Sequence, residues 1–186
     1  MIFTNVDEYL EKSEADMLMQ PQVPHGLGQL QVVATSGAFD ILTPGHIRLF
    51  EYCRRLGTYV LVLLNTDESI REYKGKHRPV KPWKDRAEIL DSLKHVEHVI
   101  GMPEPDPRAA ISMLKPDVWV KGNRPIGEVV ELEAALDNGE FVSVWTHFQQ
   151  SSSSYIEKAA KIYLAETGQK MVSDAADRYR EREGES

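Results

Sequence analysis

The stretch QVVATSGAFDILTPGH, residues 31–46, begins as a strand, breaks at a turn and ends as a helix. Leu30–Ala34 reads as a buried strand, and the continuous apolar run Tyr59–Leu64 further on suits a strand covered on both faces. Ser36-Gly37-Ala38-Phe39-Asp40 is a turn-rich break. A helix is expected from near Gly45 to about Arg55, with Ile47, Leu49, Phe50 and Cys53 mostly inward and Gly57 as its stop. A glycine directly after a strand lets backbone approach a ligand closely. The free N–H groups and positive dipole end of the next helix point to the same place.

Downstream, the same alternation repeats. Further strands are expected at Tyr59–Leu64, Val96–Ile100, Val118–Val120 and Phe141–Trp145. Helices are expected over residues 83–95, 107–114 and 126–138, with a last one beginning at Ser154–Leu164. In residues 83–95 the apolar positions Ile89, Leu90 and Leu93, continued by Val96, have the three-to-four spacing of a stripe. Residues 65–82 are polar, basic and proline-containing, which predicts a loop with at most a short helix. Strands alternating with helices imply βαβ units. The predicted fold is α/β: a Rossmann-like doubly wound sheet of about five parallel strands with helices on both faces. Such sheets bind ligands beyond the C-terminal ends of their strands. Residues 1–30 read as an N-terminal extension, broken by Pro21, Pro24, Gly26 and Gly28. Residues 31–166 read as the domain, and residues 167–186 as a charged tail.

Composition narrows the function classes. The chain has 186 residues, a formal net charge of −7 and a single cysteine, Cys53, so no intrachain disulfide framework is available. The acidic balance argues against a dedicated nucleic-acid binder. No apolar run approaches the roughly 20 residues of a membrane span, and the acidic N-terminal residues Asp7, Glu8 and Glu11 do not resemble a secretory leader. A cytoplasmic protein acting on small molecules, with neither nucleic acid nor membrane as partner, is the expectation.

Three segments carry candidate chemistry, each following a strand. The first is Gly37–His46, where His46 sits in the first turn of a helix and an imidazole can donate to phosphate oxygens. The second is Lys74-Gly75-Lys76-His77-Arg78, with Lys81 and Arg86 nearby, a basic loop able to close over a triphosphate. The third is Ser151-Ser152-Ser153-Ser154, whose hydroxyls and N–H groups at a helix start suit phosphate. Each has a plainer reading: His46 as a packed cap residue, the basic run as a solvated loop, the serines as an N-cap. His77, His95 and His98 lack zinc-ligand spacing, Cys53 has no activating partner, and no metal ligands are assigned.

With these motifs in view, Val32–His46 resembles the opening of the cytidylyltransferase-like nucleotidyltransferase superfamily, Gly-x-Phe-Asp followed by His/Thr-x-Gly-His. The match continues in order through Asn65-Thr66-Asp67, Lys74-Gly75, Arg78-Pro79-Val80, the segment Arg86 to Ile100, and Lys115–Gly122. The serine run falls where the family has Gly-Ile-Ser-Thr-Thr, so the resemblance covers about residues 31–164. Within the superfamily the chain is most similar to the adenylyltransferase domain of the bifunctional heptose-phosphate enzyme and to glycerol-phosphate cytidylyltransferases.

The resemblance implies transfer of NMP from an NTP, ATP or CTP, to a sugar or polyol phosphate, releasing pyrophosphate without a covalent enzyme intermediate. It implies that His46 contacts the triphosphate and Lys74 reaches the α-phosphate or the acceptor phosphate. Thr43 takes the first position of the His/Thr-x-Gly-His pair, and Gly45 lies between Thr43 and His46. Gly37, Ala38, Phe39 and Asp40 shape the nucleotide loop. Gly122 and Asn123 approach base and ribose, Ser152 to Ser154 hold the β- and γ-phosphates, and Lys121 and Ser151 count with them as nucleotide-binding residues. Mg²⁺ accompanies the NTP, and a homodimer is the default assembly. The chain departs from the pattern at Thr43, where the two most similar groups carry histidine, and at Asn123-Arg124, His147, Gln150 and Ser151. Thr43, His147 and Gln150 motivate an alternative of another class, a nucleotide-binding regulatory or assembly protein without turnover.

Overall fold

The computed structural model describes residues 1–19, 31–123, 128–137, 139–144 and 151–184. The chain divides into two compact units, Met1–Gln149 and Gln150–Ser186. The first contains β1 (Ile2–Phe3), α1 (Val6–Met19), β2 (Val32–Gly37), α2 (Pro44–Leu56), β3 (Tyr59–Asn65), α3 (Asp67–Lys74) and α4 (Trp83–Asp91). It continues with β4 (His98–Met102), α5 (Arg108–Leu114), β5 (Val118–Gly122), α6 (Leu132–Leu136) and β6 (Glu140–Val144). The second unit is one helix, α7 (Ser152–Gly184).

The described strands form one six-stranded sheet in the order β1-β4-β3-β2-β5-β6, and every pairing is parallel. From β2 the chain builds outward through β3 and β4 on one side, then returns to place β5 and β6 on the other. That reversal is the switch point at which open α/β sheets leave a crevice beyond the strand ends. Side-chain alternation divides the core between the two faces. Val33, Val60, Val62 and Leu64 pack with Leu49, Phe50 and Cys53 of α2 and Ala87 and Leu90 of α4. Ala34, Leu61, Leu63 and Trp119 pack with Val6 and Tyr9 of α1, Ala110 and Ile111 of α5 and Ala135 of α6.

The sheet has one strand more than the roughly five expected from pattern, and that strand is β1. At two residues it is too short to show a period. It pairs Ile2 with Val99 and Phe3 with Ile100, and Phe3, Val6 and Tyr9 are buried. Gly101 shows why this packing is close: a Cβ there would stand 2.0 Å from the carbonyl oxygen of Thr4. Strand β2 also extends past Ala34, because Ser36 and Gly37 still pair with Leu63 and Leu64 of β3. The loop expected over residues 65–82 contains α3, whose start is capped when the Thr66 side chain accepts from the N–H of Ser69. No described helix is long and apolar enough to cross a membrane.

Candidate active site

Beyond β2 the backbone turns within a few residues into α2, and packing fixes that turn. Phe39 has φ 42°, a left-handed conformation that is costly for a bulky side chain and is held only where neighbours enforce it. Its ring stands edge-on to His46, with centroids 5.3 Å apart, and against Phe50 at 5.2 Å. A Cβ at Gly37 would lie 3.0 Å from that ring, so glycine at 37 makes room for Phe39. Thr43 is the N-cap of α2, and Pro44 follows in the first turn, where its fixed φ suits a helix start. Gly45 is buried in the same turn.

The hydrogen bond from the Thr43 N–H to His46 Nδ1, 3.0 Å long, fixes the histidine chemically. Since Nδ1 is the acceptor, the neutral ring carries its proton on Nε2. The Thr43 hydroxyl lies 3.3 Å from the same nitrogen. Burial, with the charge of Lys74 adding to it, lowers the His46 pKa to about 4. At neutral pH without ligand, His46 is therefore an uncharged Nε2–H donor. A protonated imidazole requires the negative charge of a bound ligand to raise the pKa again.

Asp40 faces the basic loop. Its buried carboxylate accepts from Arg78 Nε at 3.0 Å, from the Val80 N–H at 2.9 Å and from the Lys81 N–H at 3.0 Å. Arg78 Nη2 stands 2.7 Å away. Burial pushes this carboxyl up. The Lys81 and Val80 N–H groups and Arg78 outweigh it and hold the pKa below the usual carboxylate value. Asp40 thus anchors residues 78–81 next to the turn. Arg86 does the same from beneath. Fully buried on α4, it donates to the carbonyls of Ala38 (2.6 Å), Asn65 (2.9 Å) and Lys81 (3.0 Å) and to Asp67 Oδ1 (2.7 Å). One guanidinium thereby ties together the turn after β2, the end of β3 and the loop. Sequence reading placed Arg86 merely near the loop. The available signal was a charged residue four positions before Leu90 on a face otherwise buried.

A cavity of about 370 Å³ opens beyond the strand ends, lined by Gly37 from β2, Asn65 from β3, Met102 from β4, Lys121 from β5, Lys74 from the end of α3, and Glu131. Asn65 is held there by its bonds to Ser69 Oγ (3.0 Å) and the Glu104 carbonyl (3.3 Å). His46 is not part of the lining, although Lys74 is close enough to act on its charge. Gly37 and Ala38 thus line this cavity together with Lys74, and His46 follows them in the chain at the start of α2. Lys121 Nζ lies 2.5 Å from Glu131 Oε1, a pair that sequence reading did not anticipate. Gly122 packs with Leu49 at ordinary contact distance. Asn123, at φ 52°, donates its N–H to the Val144 carbonyl at 2.8 Å.

In the second unit the Ser154 N–H donates to Ser151 Oγ (3.2 Å) and the Ser154 hydroxyl to the Ser151 carbonyl (2.7 Å), so serines cap the start of α7. Arg124, His147 and Gln150 lie outside the described residues. Among the described residues no group of three or more His, Cys, Asp or Glu is placed to hold a metal ion.

The family model for Cytidylyltransferase-like proteins matches residues 34–162, the span that holds the turn, the basic loop and the strand-end cavity. The chain belongs to the cytidylyltransferase-like family. Among individual members, it is 36% identical over 149 residues to the bifunctional protein HldE of Marinomonas sp. (strain MWYL1), covering 79% of this chain and 31% of that one. It is 45% identical over 91 residues to the bifunctional protein HldE of Streptomyces coelicolor, covering 49% and 20%. The chain thus spans less than a third of the length of these relatives. Among solved structures it resembles the lipopolysaccharide core biosynthesis protein from Thermoplasma volcanium GSS1, with a TM-score of 0.55 and 25% identity, covering 62% of this chain and 97% of that one. Pantoate-beta-alanine ligase from Francisella tularensis, at 13% identity and a TM-score of 0.55, covers 82% of this chain and 69% of that one and shares the fold.

Proposed function

We propose that this cytidylyltransferase-like chain transfers the nucleotidyl group of an NTP, ATP in the favoured reading, to the phosphate of a sugar or polyol phosphate. An oxygen of the acceptor phosphate attacks the α-phosphorus, the bond from that phosphorus to the β-phosphate bridge oxygen breaks, and pyrophosphate leaves. With no covalent enzyme intermediate, the rate comes from alignment and charge stabilisation. The observation that carries the reading is the proximity of two different phosphate-seeking groups: the His46 N–H donor at the start of α2, and Lys74, which lines the strand-end cavity and acts on the charge of His46. Lys74 brings the acceptor phosphate toward the α-phosphorus, and His46 donates through Nε2–H to the triphosphate. Thr43 fixes the imidazole that does so. Asp40 and Arg86 hold the basic loop, and Lys121, Gly122 and Asn123 approach base and ribose. Ser152 to Ser154 bind the β- and γ-phosphates in the role that the resemblance gives them. The triphosphate enters with Mg²⁺ as its counter-ion, and that ion is part of the substrate.

ATP is favoured by the likeness to the HldE proteins, since the resemblance in sequence is to heptose-phosphate adenylyltransferase domains. A homodimer in the cytoplasm is the default assembly in this reading, and light scattering after gel filtration tests the dimer. The deciding assay is pyrophosphate release with ATP and CTP separately, across sugar, polyol and amino-alcohol phosphates. Release with one NTP and a sugar or polyol phosphate is the expected result. Nucleotide binding without release across the panel sinks the transferase reading and leaves a binding protein without turnover.

A further inference from the structure

We infer that Tyr73 is a positioning residue for the transfer: its ring faces the Lys74 ammonium and its hydroxyl is moored to Asn65, so that the sheet sets where the ammonium stands. This rests on the transferase reading above and adds to it a residue that acts through Lys74.

Lys74 is the last residue of α3, and Gly75 follows it at φ 92°. An exposed lysine at a helix end carries its charge on a flexible four-carbon stem, and holding that charge in one place costs rotamer entropy. Successive residues of a helix do not face each other. Lys74 Nζ nevertheless stands 5.5 Å from the centroid of the Tyr73 ring, within the roughly 6 Å of a cation–π contact. The ring is fixed at its other end. The Tyr73 hydroxyl donates to Asn65 Oδ1 at 3.3 Å. Asn65 ends β3 and is buried, and its amide nitrogen donates to Ser69 Oγ and to the Glu104 carbonyl. The contacts therefore run from the sheet through Asn65 and the phenol to the ammonium.

Core packing does not account for this tyrosine. Its side chain belongs to a residue 47% exposed, whereas an aromatic ring serving the core is buried. Asn65, Tyr73 and Lys74 all line the strand-end cavity, so the mooring lies where a phosphate would meet the ammonium. With the ring behind it, Lys74 is set in place before a ligand arrives and loses less freedom when one binds. The mooring also bears on His46. Lys74 lowers the pKa of that ring, after the larger effect of burial, and a held ammonium keeps a constant distance to the histidine donor.

The test has two arms, both on the full chain. In the first, the lysines are reductively dimethylated with isotope-labelled methyl groups, which keeps their charge, and the Lys74 signal in the NMR spectrum is identified by its loss in Lys74→Met. The ring of Tyr73 is expected to shift that signal upfield of the other lysines. The shift is expected to persist in Tyr73→Phe and to vanish in Tyr73→Leu. In the second arm, pyrophosphate release is measured with ATP or CTP and sugar or polyol phosphates. Tyr73→Leu is expected to lower kcat/KM for the acceptor by about fivefold, the upper end for a cation–π contact at an exposed site, with a near-native melting profile. Tyr73→Phe, which keeps the ring, is expected to recover most of that loss. Should Tyr73→Leu fail a thermal-melt check, Tyr73→Gln removes the ring with a polar side chain and carries the same expectation. A native Lys74 signal at the ordinary lysine position overturns the inference. Native turnover in Tyr73→Leu, or Tyr73→Phe as slow as Tyr73→Leu, overturns it as well. An upfield, Tyr73-dependent Lys74 signal without pyrophosphate release from the native chain keeps the mooring of Lys74 and instead overturns the transferase reading.

Discussion

His46 is set up to donate. The Thr43 N–H occupies Nδ1, which leaves the proton on Nε2, and the low pKa keeps the ring uncharged before a ligand arrives. Loss of a donor aimed at developing charge costs about a hundredfold to a thousandfold in turnover. His46→Ala is therefore expected to lower kcat by at least about a hundredfold, with a melting profile close to the native one. Near-native turnover in a steady-state assay removes His46 from the chemistry. The same residue makes a prediction about pH. Its folded pKa of about 4 lies below the unfolded value of 6.5, so between these values the unfolded chain binds more protons and stability falls as pH falls. The full effect is on the order of 3 kcal/mol. Urea unfolding at pH 7 and at pH near 4.5 is expected to show a larger loss for the native chain than for His46→Gln. Equal losses would mean that the ring is not held neutral by its surroundings.

Among the elements, α4 does more than cover the sheet. Its Arg86 joins three backbone carbonyls from three different segments, and it has no water to fall back on. Removing it leaves those carbonyls and Asp67 without their donor. Breaking a buried charged pair costs about 3–5 kcal/mol. Arg86→Met is expected to destabilise by that order in urea unfolding, and Arg86→Lys to recover only part, since an ammonium cannot reach acceptors in so many directions. A loss under 1 kcal/mol for Arg86→Met would show that the three segments hold together without it.

For the whole molecule, the consequential feature is where the N-terminal residues go. Phe3 packs edge-on against Tyr9 and His98 and is 3% exposed within the core on the α1, α5 and α6 face. Phe3→Ala is expected to cost about 3–5 kcal/mol while leaving KM for the nucleotide unchanged at a temperature where the variant is folded, because β1 lies at the sheet edge, three strands from β2. Denaturant midpoints with nucleotide titrations check both halves of that statement. A small stability loss would mean that residues 1–19 sit on the domain without supporting it.

The sequence alone determined the strand–turn–helix at residues 31–46 and the alternation that makes the sheet parallel. These rest on local signals: apolar strand runs, a glycine at the break and the spaced apolar residues of the helix that follows. It likewise brought Gly37, His46 and Lys74 forward, because the segments that hold them come after apolar strand runs and ligands gather beyond strand ends. Tertiary structure decided what depends on approach between distant segments. Strand β1 has two residues and exists only through pairing with β4. Asp40 gives no local sign that its carboxylate turns to the loop at Arg78 and Val80. The neutrality of His46 comes from burial and from the position of Lys74, and Glu131 meets Lys121 only once the chain has left β5 and come back. Local propensity is written in neighbouring residues, whereas burial and charge pairing are properties of the packed space, and that space determines which donors and acceptors remain for a ligand.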